Sequence, residues 1–279
     1  MAHRSRTPPK NAADQSMFRR PDEVAYRAVG SGEPAVTRCT HAGKVKGKKI
    51  SYIGPTVFWL THAALANIVA RYERFGGVKA VEAMLKEDKA FGELYLASHD
   101  AYVAAVLPRL PDEQREFFVE HYSGPNAKGR KYGNAAVGEP LSVKCLHAHV
   151  GAALAGVPNP IGAAVCRYTV AMAAALKARE AARRTSSSAD ADKADDGADA
   201  TAASSSEPAV PAGDAATMDV TDDFPRNFAA FVARNKKDAF TLEGVDINSA
   251  DFDVCGAALA LVVHFDGHAP SFKKKHRIN

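Results

Sequence analysis

The segment Val143 to His149 reads Val-Lys-Cys-Leu-His-Ala-His and packs a thiol and two imidazoles into one short stretch. On a helix, Cys145 and His149 lie about 40° apart around the axis and can grip one ion, while His147 points roughly 200° away from Cys145. If the segment is extended, Cys145, His147 and His149 share one face. Thiolate with imidazole is a ligand mixture that suits zinc. Cys39 and His62 add two more ligand types upstream. The first expectation is that Cys39, His62, Cys145 and either His147 or His149 bind one zinc, joining an N-terminal loop to two helices. Four protein ligands would make the site structural. Three would leave a position for water of lowered pKa, with the spare histidine, or His99 with Asp100, as general base in a hydrolysis.

Two other classes compete. Cys145, beside Lys144 and at a helix N-terminus, would serve as a metal-free nucleophile assisted by His147 or His149. Alternatively a folded core would present Lys46, Lys48 and Lys49, the loop Lys128 to Lys131, and the tail Lys273, Lys274 and Lys275 to RNA, a ribonucleoprotein or another acidic partner. Aromatic residues are not interleaved with these lysines, so stacking on bases is poorly supported. Whether the protein is an enzyme stays open.

The elements that must position these residues are read from punctuation and period. Val24 to Arg38 reads as a short strand, a glycine-rich turn and a return toward Cys39 and His41; Lys44 to Lys49 reads as an exposed turn. Ser51 to Leu60 is strand-like. Thr61 is a plausible N-cap for a helix from His62 to Phe75, closed by Gly76-Gly77. That places His62 in the first turn, where the helix dipole disfavours a protonated ring. Further helices are expected over Val78 to Lys89, Phe91 to Leu107 (with His99 and Asp100 inside it), and Glu113 to His121 capped by Asp112. Ser123 to Pro140 is a glycine-rich, basic loop. Ser142 is a candidate cap for a helix over Leu141 to Ala155, and a rigid turn leads into a helix over Ala163 to Arg184. Phe224 to Phe240 reads as a short helix. Cys255 to Phe265 is ambiguous between buried strand and helix, and if the chain stays extended beyond it, His264, Asp266 and His268 share a face.

The 279 residues are 46% hydrophobic, enough for a sizeable core, and carry a net charge of +4 with basic residues gathered at both ends. No apolar run approaches the roughly 20 residues needed to span a bilayer. No apolar stretch follows the basic residues at the start, and four scattered cysteines do not look like a disulfide framework. The expected setting is therefore a reducing compartment, intracellular and cytoplasmic, with an organelle still allowed. The fold class expected is mainly α with a small β element: a disordered basic arm over 1–21, a globular domain over 24–184 carrying the site, a disordered acidic Ser/Ala-rich linker over 185–223, and a C-terminal extension over 224–279 that packs on the domain and ends in a basic tail.

Four patches resemble the family known as domain of unknown function 501. They are Tyr26-Arg27 with Arg38-Cys39; Pro55-Thr56-Val57-Phe58-Trp59-Leu60-Thr61-His62; Tyr95 to Tyr102 with His99; and Val143-Lys144-Cys145-Leu146-His147 through Asn159-Pro160-Ile161-Gly162. The resemblance covers Val24 to Gly162 with gaps. The family's second patch reads Pro-Thr-Leu-Tyr-Trp-Leu-Thr-Cys-Pro, so His62 and Ala63 stand where the family has Cys and Pro. That exchange keeps a zinc-ligand type at position 62 and argues against a redox role there. The resemblance supports Cys39, Cys145 and His147 above His149, whereas helical geometry prefers His149. The conflict eases if Cys145 lies just before the helix. The resemblance implies a site and no reaction.

Overall fold

The computed structural model describes residues 23–40, 44–45, 48–49, 53–191 and 218–270. The architecture is mainly helical around one small sheet. β1 (Glu23–Arg27), β2 (Pro34–Arg38) and β5 (Phe58–Leu60) form an antiparallel sheet with β2 in the centre, while β3 (Lys44–Val45) and β4 (Lys48–Lys49) make a separate hairpin. Register pairs Val24 with Thr37, and Thr37 in turn with Trp59. Only the last three residues of the strand-like stretch before His62 join the sheet. The residues before them are held by side chains instead: the Tyr102 hydroxyl donates to Pro55 O (2.9 Å) and accepts from Val57 N (2.8 Å), and Gln114 Oε1 accepts from Ile53 N (2.9 Å).

The helices are α1 (Ala63–Arg74), α2 (Gly77–Glu87), α3 (Lys89–Val106), α4 (Asp112–Tyr122), α5 (Leu146–Leu154), α6 (Pro160–Ala191), α7 (Phe224–Ala239) and α8 (Val254–Asp266). Several of their ends differ from the sequence expectation, each for a nameable reason. Thr61 does not cap α1, because its hydroxyl donates to Pro34 O at 3.2 Å; His62 caps instead, its Nδ1 accepting from Leu65 N at 3.4 Å. Asp88 caps α3 by accepting from Phe91 N at 3.0 Å, and Pro111 occupies the N-cap of α4, so that Asp112 is already helical. Helix α5 starts at Leu146, not Leu141, with Cys145 as an extended N-cap residue. The turn before α6 is itself the start of the helix: the Asn159 side chain accepts from Gly162 N at 2.8 Å and Pro160 fills the first helical position, where its missing N–H costs nothing.

Helix α6 also runs further than expected, since Thr185 to Ala191, assigned from composition to a disordered segment, continue it. The expected arm over 1–21, the rest of that linker (192–217) and the tail from 271 onward lie outside the described residues. By length and composition Pro160–Ser186 is long and apolar enough to cross a membrane, contrary to the reading of the sequence, but 61% of its most apolar window is buried inside the protein. It is a core helix, packed by α5, α8, α7 and α3.

The ambiguous run after Cys255 is helix α8, capped by the Asp253 carboxylate on Gly256 N (2.9 Å) and ended by Gly267 in the left-handed region. His264 and Asp266 are thus helical, and no extended three-residue face exists there. Tyr168 of α6 is ringed edge-on by Tyr72, Phe224, Phe228 and Phe231, which ties α1 and α7 to α6. Phe240 stacks on Phe91 at 4.0 Å between centroids.

A second tie is polar. The Arg71 guanidinium donates from Nε and Nη2 to the two Asp222 oxygens (2.7 and 2.8 Å) and from Nη1 to Asp266 (2.8 Å), and it lies over the Phe265 ring at 4.4 Å. A fork that satisfies two carboxylates and stacks on an aromatic face exceeds an ordinary surface pair. Arg71→Met is expected to cost about 2 kcal/mol, read as a lower urea midpoint with an unchanged denaturant slope.

Candidate metal centre

Helix α5 carries its two histidines on opposite faces, and the two have different chemistry. His147 turns toward α1. Its Nδ1 is 3.1 Å from Glu73 Oε1 and its Nε2 is 3.0 Å from Ala66 O. The same Glu73 Oε1 accepts from Leu146 N at 2.6 Å, while Glu82 Oε2 accepts from Val143 N at 3.3 Å. Two carboxylates from neighbouring helices therefore hold the entry to α5, the job expected of Ser142. Ser142 instead offers its carbonyl to the Tyr95 hydroxyl at 2.9 Å.

Cys145 completes the group. One ligand atom from each of Glu73, Cys145 and His147 lies within 4.8 Å of the others, all three half-buried, and this is the one such cluster among the described residues. A carboxylate oxygen, a thiol sulfur and an imidazole nitrogen could hold a metal ion. Because Cys145 sits in extended conformation ahead of the helix, it can meet His147 although the two would diverge on a helix.

The electrostatics of the pair are mutual. Burial pushes His147 down, but its hydrogen bonds to Cys145 and Glu73, with their charges, outweigh this and raise it to about 10. For Glu73 burial pushes up, while His147, the Leu146 amide and Cys145 bring the carboxyl below its usual value. With both ring nitrogens facing acceptors, His147 is the doubly protonated ring in the absence of a metal.

His149 faces the other way and is fully buried. Asn159 Oδ1 is committed to Gly162 N, which forces its Nδ2 toward His149 Nδ1 at 3.1 Å. Asn134 Nδ2 approaches the same nitrogen at 3.1 Å. The Nδ1 lone pair is therefore used, and the neutral ring must carry its proton on Nε2. Burial first, then neighbouring His99, push this ring down to about 3. His149 is a neutral core histidine whose ring accepts at Nδ1, and it is not part of the group at Glu73.

Cys39 and His62 are not part of it either. Cys39 is buried at the end of β2, its N–H bonded to Val57 O at 3.0 Å. Cys145 lies roughly 9 Å of helix before Gly151, the point where α5 touches the sheet. His62 caps one end of α1 and Glu73 lies in its last turn, roughly 16 Å along the axis. His62 is lowered by burial, against the charges of Glu33 and Asp253. His99 and Asp100 form no dyad. The His99 ring is buried with Nε2 on Pro140 O (3.0 Å), whereas Asp100, one residue on and therefore about 100° around the helix, is exposed. Lys46, Lys273, Lys274 and Lys275 lie outside the described residues, and Lys48 and Lys49 are described only as the backbone of β4. None of the four cysteines is disulfide-bonded.

Sequence reasoning missed Glu73, although one signal was present. A carboxylate in the last turn of a helix opposes the helix dipole, and such a residue needs a compensating partner.

A search of curated proteins found no match, and neither did a search of solved structures. The family described as protein of unknown function (DUF501) matches residues 24–167, just over half of the chain, including Cys145, His147 and Glu73. On that match the chain belongs to this family, whose function is not known.

Proposed function

We propose that Glu73, Cys145 and His147 hold one zinc ion with an open fourth position, and that this site supports hydrolysis. The observation that carries the reading is the orientation of His147. Its Nε2–H is spent on the Ala66 carbonyl, which fixes the tautomer that leaves Nδ1 for a metal, on the same side as a carboxylate and a thiol. Three protein ligands of mixed type are the pattern of zinc sites that keep a position for water, whereas structural sites close with four. Zinc at this place would lower the pKa of that water. The chain's own part is to hold the ligands: Ala66 orients the ring, the Leu146 amide orients the carboxylate, and α5 fixes the thiol at its N-terminus. Zinc would displace a proton from His147 Nδ1, so affinity should rise with pH.

Zinc quantified per chain tests this. About one zinc is expected in the parent protein, with at least tenfold weaker binding in Cys145→Ala and in Glu73→Gln. No stoichiometric metal in the parent, or equal zinc in all three proteins, would sink the reading.

A second reading has its own observation. His147 is held protonated between Cys145 and Glu73, which is the arrangement of a thiol nucleophile with an imidazolium oriented by a carboxylate. Iodoacetamide kinetics separate the two: alkylation of Cys145 suppressed by added zinc supports the metal, and rapid alkylation indifferent to zinc supports the thiol.

A further inference from the structure

Helix α8 is apolar all the way round. From Val254 to Phe265 it carries no Asp, Glu, Lys or Arg. Val254, Cys255, Ala258, Leu261 and Val262 take up one side, buried against α6 and α1. At about 100° per residue, Leu259, Ala260, Val263 and His264 fall on the other side, and all four are exposed, Leu259 by 41% and Val263 by 42%. A helix hydrophobic on every face belongs in an interior. Here one side faces outward, and no element among the described residues covers it. An apolar patch of this kind marks an interaction surface.

The two ends of the face carry opposite charge. Before α8 stand Glu243, Asp246, Asp251 and Asp253, with no Lys or Arg between Asp238 and the helix. Asp253 lies over the outward side itself, since a Cβ added to Gly256 would run into its Oδ2. At the other end come His264 and His268, and the sequence continues with Lys273, Lys274, Lys275 and Arg277. Asp266, the acidic residue at that end of the helix, is paired with Arg71 at 2.8 Å.

A face that is acidic at one end, apolar in the middle and basic at the other is complementary to its own copy. A two-fold axis through the middle sets each acidic end against the partner's basic end, while the apolar middles cover each other. Antiparallel pairing also places each helix N-terminus beside the partner's C-terminus, so the dipoles attract. A standard interface takes about 800 Å² from each partner, more than a face roughly 20 Å long supplies. Helix α1 widens it: α1 packs on α8, with Arg71 tied to Asp266, and shows the small, half-buried Ala63, Asn67 and Ala70 at its own surface.

We infer that the outward face of α8, flanked by α1, binds the same face of a second copy of this chain, with the two α8 helices antiparallel. The pairing is independent of what the Glu73 group binds.

Sedimentation equilibrium of the full chain, from micromolar to hundreds of micromolar, tests this. A monomer–dimer equilibrium is expected in the parent. Val263→Arg and, separately, Leu259→Arg put a charge in the middle of the face and should weaken the dimer about tenfold or more. Both positions are exposed, so circular dichroism should show the parent fold. Asp251→Lys should also weaken the dimer, because it sets like charges together at both ends of the interface. Leu94→Arg, at a 46% exposed position on α3, should leave it intact. A parent that is monomeric throughout overturns the inference, whether the face then binds phosphatidylcholine vesicles or proves to be covered by another part of the chain. So does a dimer that survives both α8 variants, one that Leu94→Arg breaks as readily, or one that Asp251→Lys leaves unchanged or strengthens.

Discussion

Gly162→Ala is expected to cost 3 kcal/mol or more, roughly the upper end for overpacking a core, and to leave little folded protein. A Cβ built on Gly162 would lie 2.1 Å from His149 O and 2.7 Å from Ala153 Cβ. The first clash is with the backbone of another helix, so no rotamer change relieves it, and α5 and α6 must separate. That crossing is the site's foundation. It sets the tilt of α5, and the Asn159 that caps α6 also fixes the His149 ring. Gly151 makes the matching approach on the sheet side, where an added Cβ would meet Phe58 O at 2.9 Å. Urea denaturation of Gly162→Ala against the parent gives the answer. A loss below about 1 kcal/mol would mean that the two helices yield easily.

The second large effect is an acid instability traced to His149. This ring is fully buried and titrates at about 3 in the folded protein, against an ordinary value of 6.5, because burial and then His99 oppose its charge. A folded pKa below the unfolded one means that the unfolded chain takes up the proton first. Stability is therefore complete above 6.5, declines as pH falls through that value, and stops declining near 3 from this group. The slope is about 1.4 kcal/mol per pH unit for one proton, so about 3 kcal/mol would be lost between pH 6 and 4. That is a large part of the stability of an ordinary domain. His99, lowered chiefly by burial, adds in the same direction. His149→Gln keeps a neutral polar side chain but cannot titrate, so the readout is the slope of stability against pH and not its absolute value. A variant with the parent's slope would show that His149 is not the source.

The order of the helices was readable because it rests on local rules. The apolar stripe after His62, the glycine pair after Phe75 and the prolines at 108 and 111 each mark a boundary that short-range sterics impose, and the small hairpin at Val24 to Arg38 is marked in the same way. What failed locally failed where a distant group took over a local role. Thr61 has the right chemistry for a cap but gives its hydroxyl to Pro34, and Ser142 gives way to Glu73 and Glu82. Composition misplaced the end of α6, since alanine and serine after Arg184 continue a helix already nucleated by a buried stretch.

For the site, the sequence by itself showed that ligand-type side chains are concentrated at Cys145 to His149, because residue types and their spacing are local facts. It could not decide between His147 and His149. Both rings are four or fewer residues from Cys145, and the choice depends on what stands across from each face of α5. Tertiary structure places a carboxylate and a backbone carbonyl opposite His147, and two amides opposite His149. Those partners make one ring a cation beside a thiol and the other a buried neutral acceptor. Glu73 reaches Cys145 only because α1 packs on α5. Side chains so far apart in sequence converge through packing, which no spacing rule along the chain encodes.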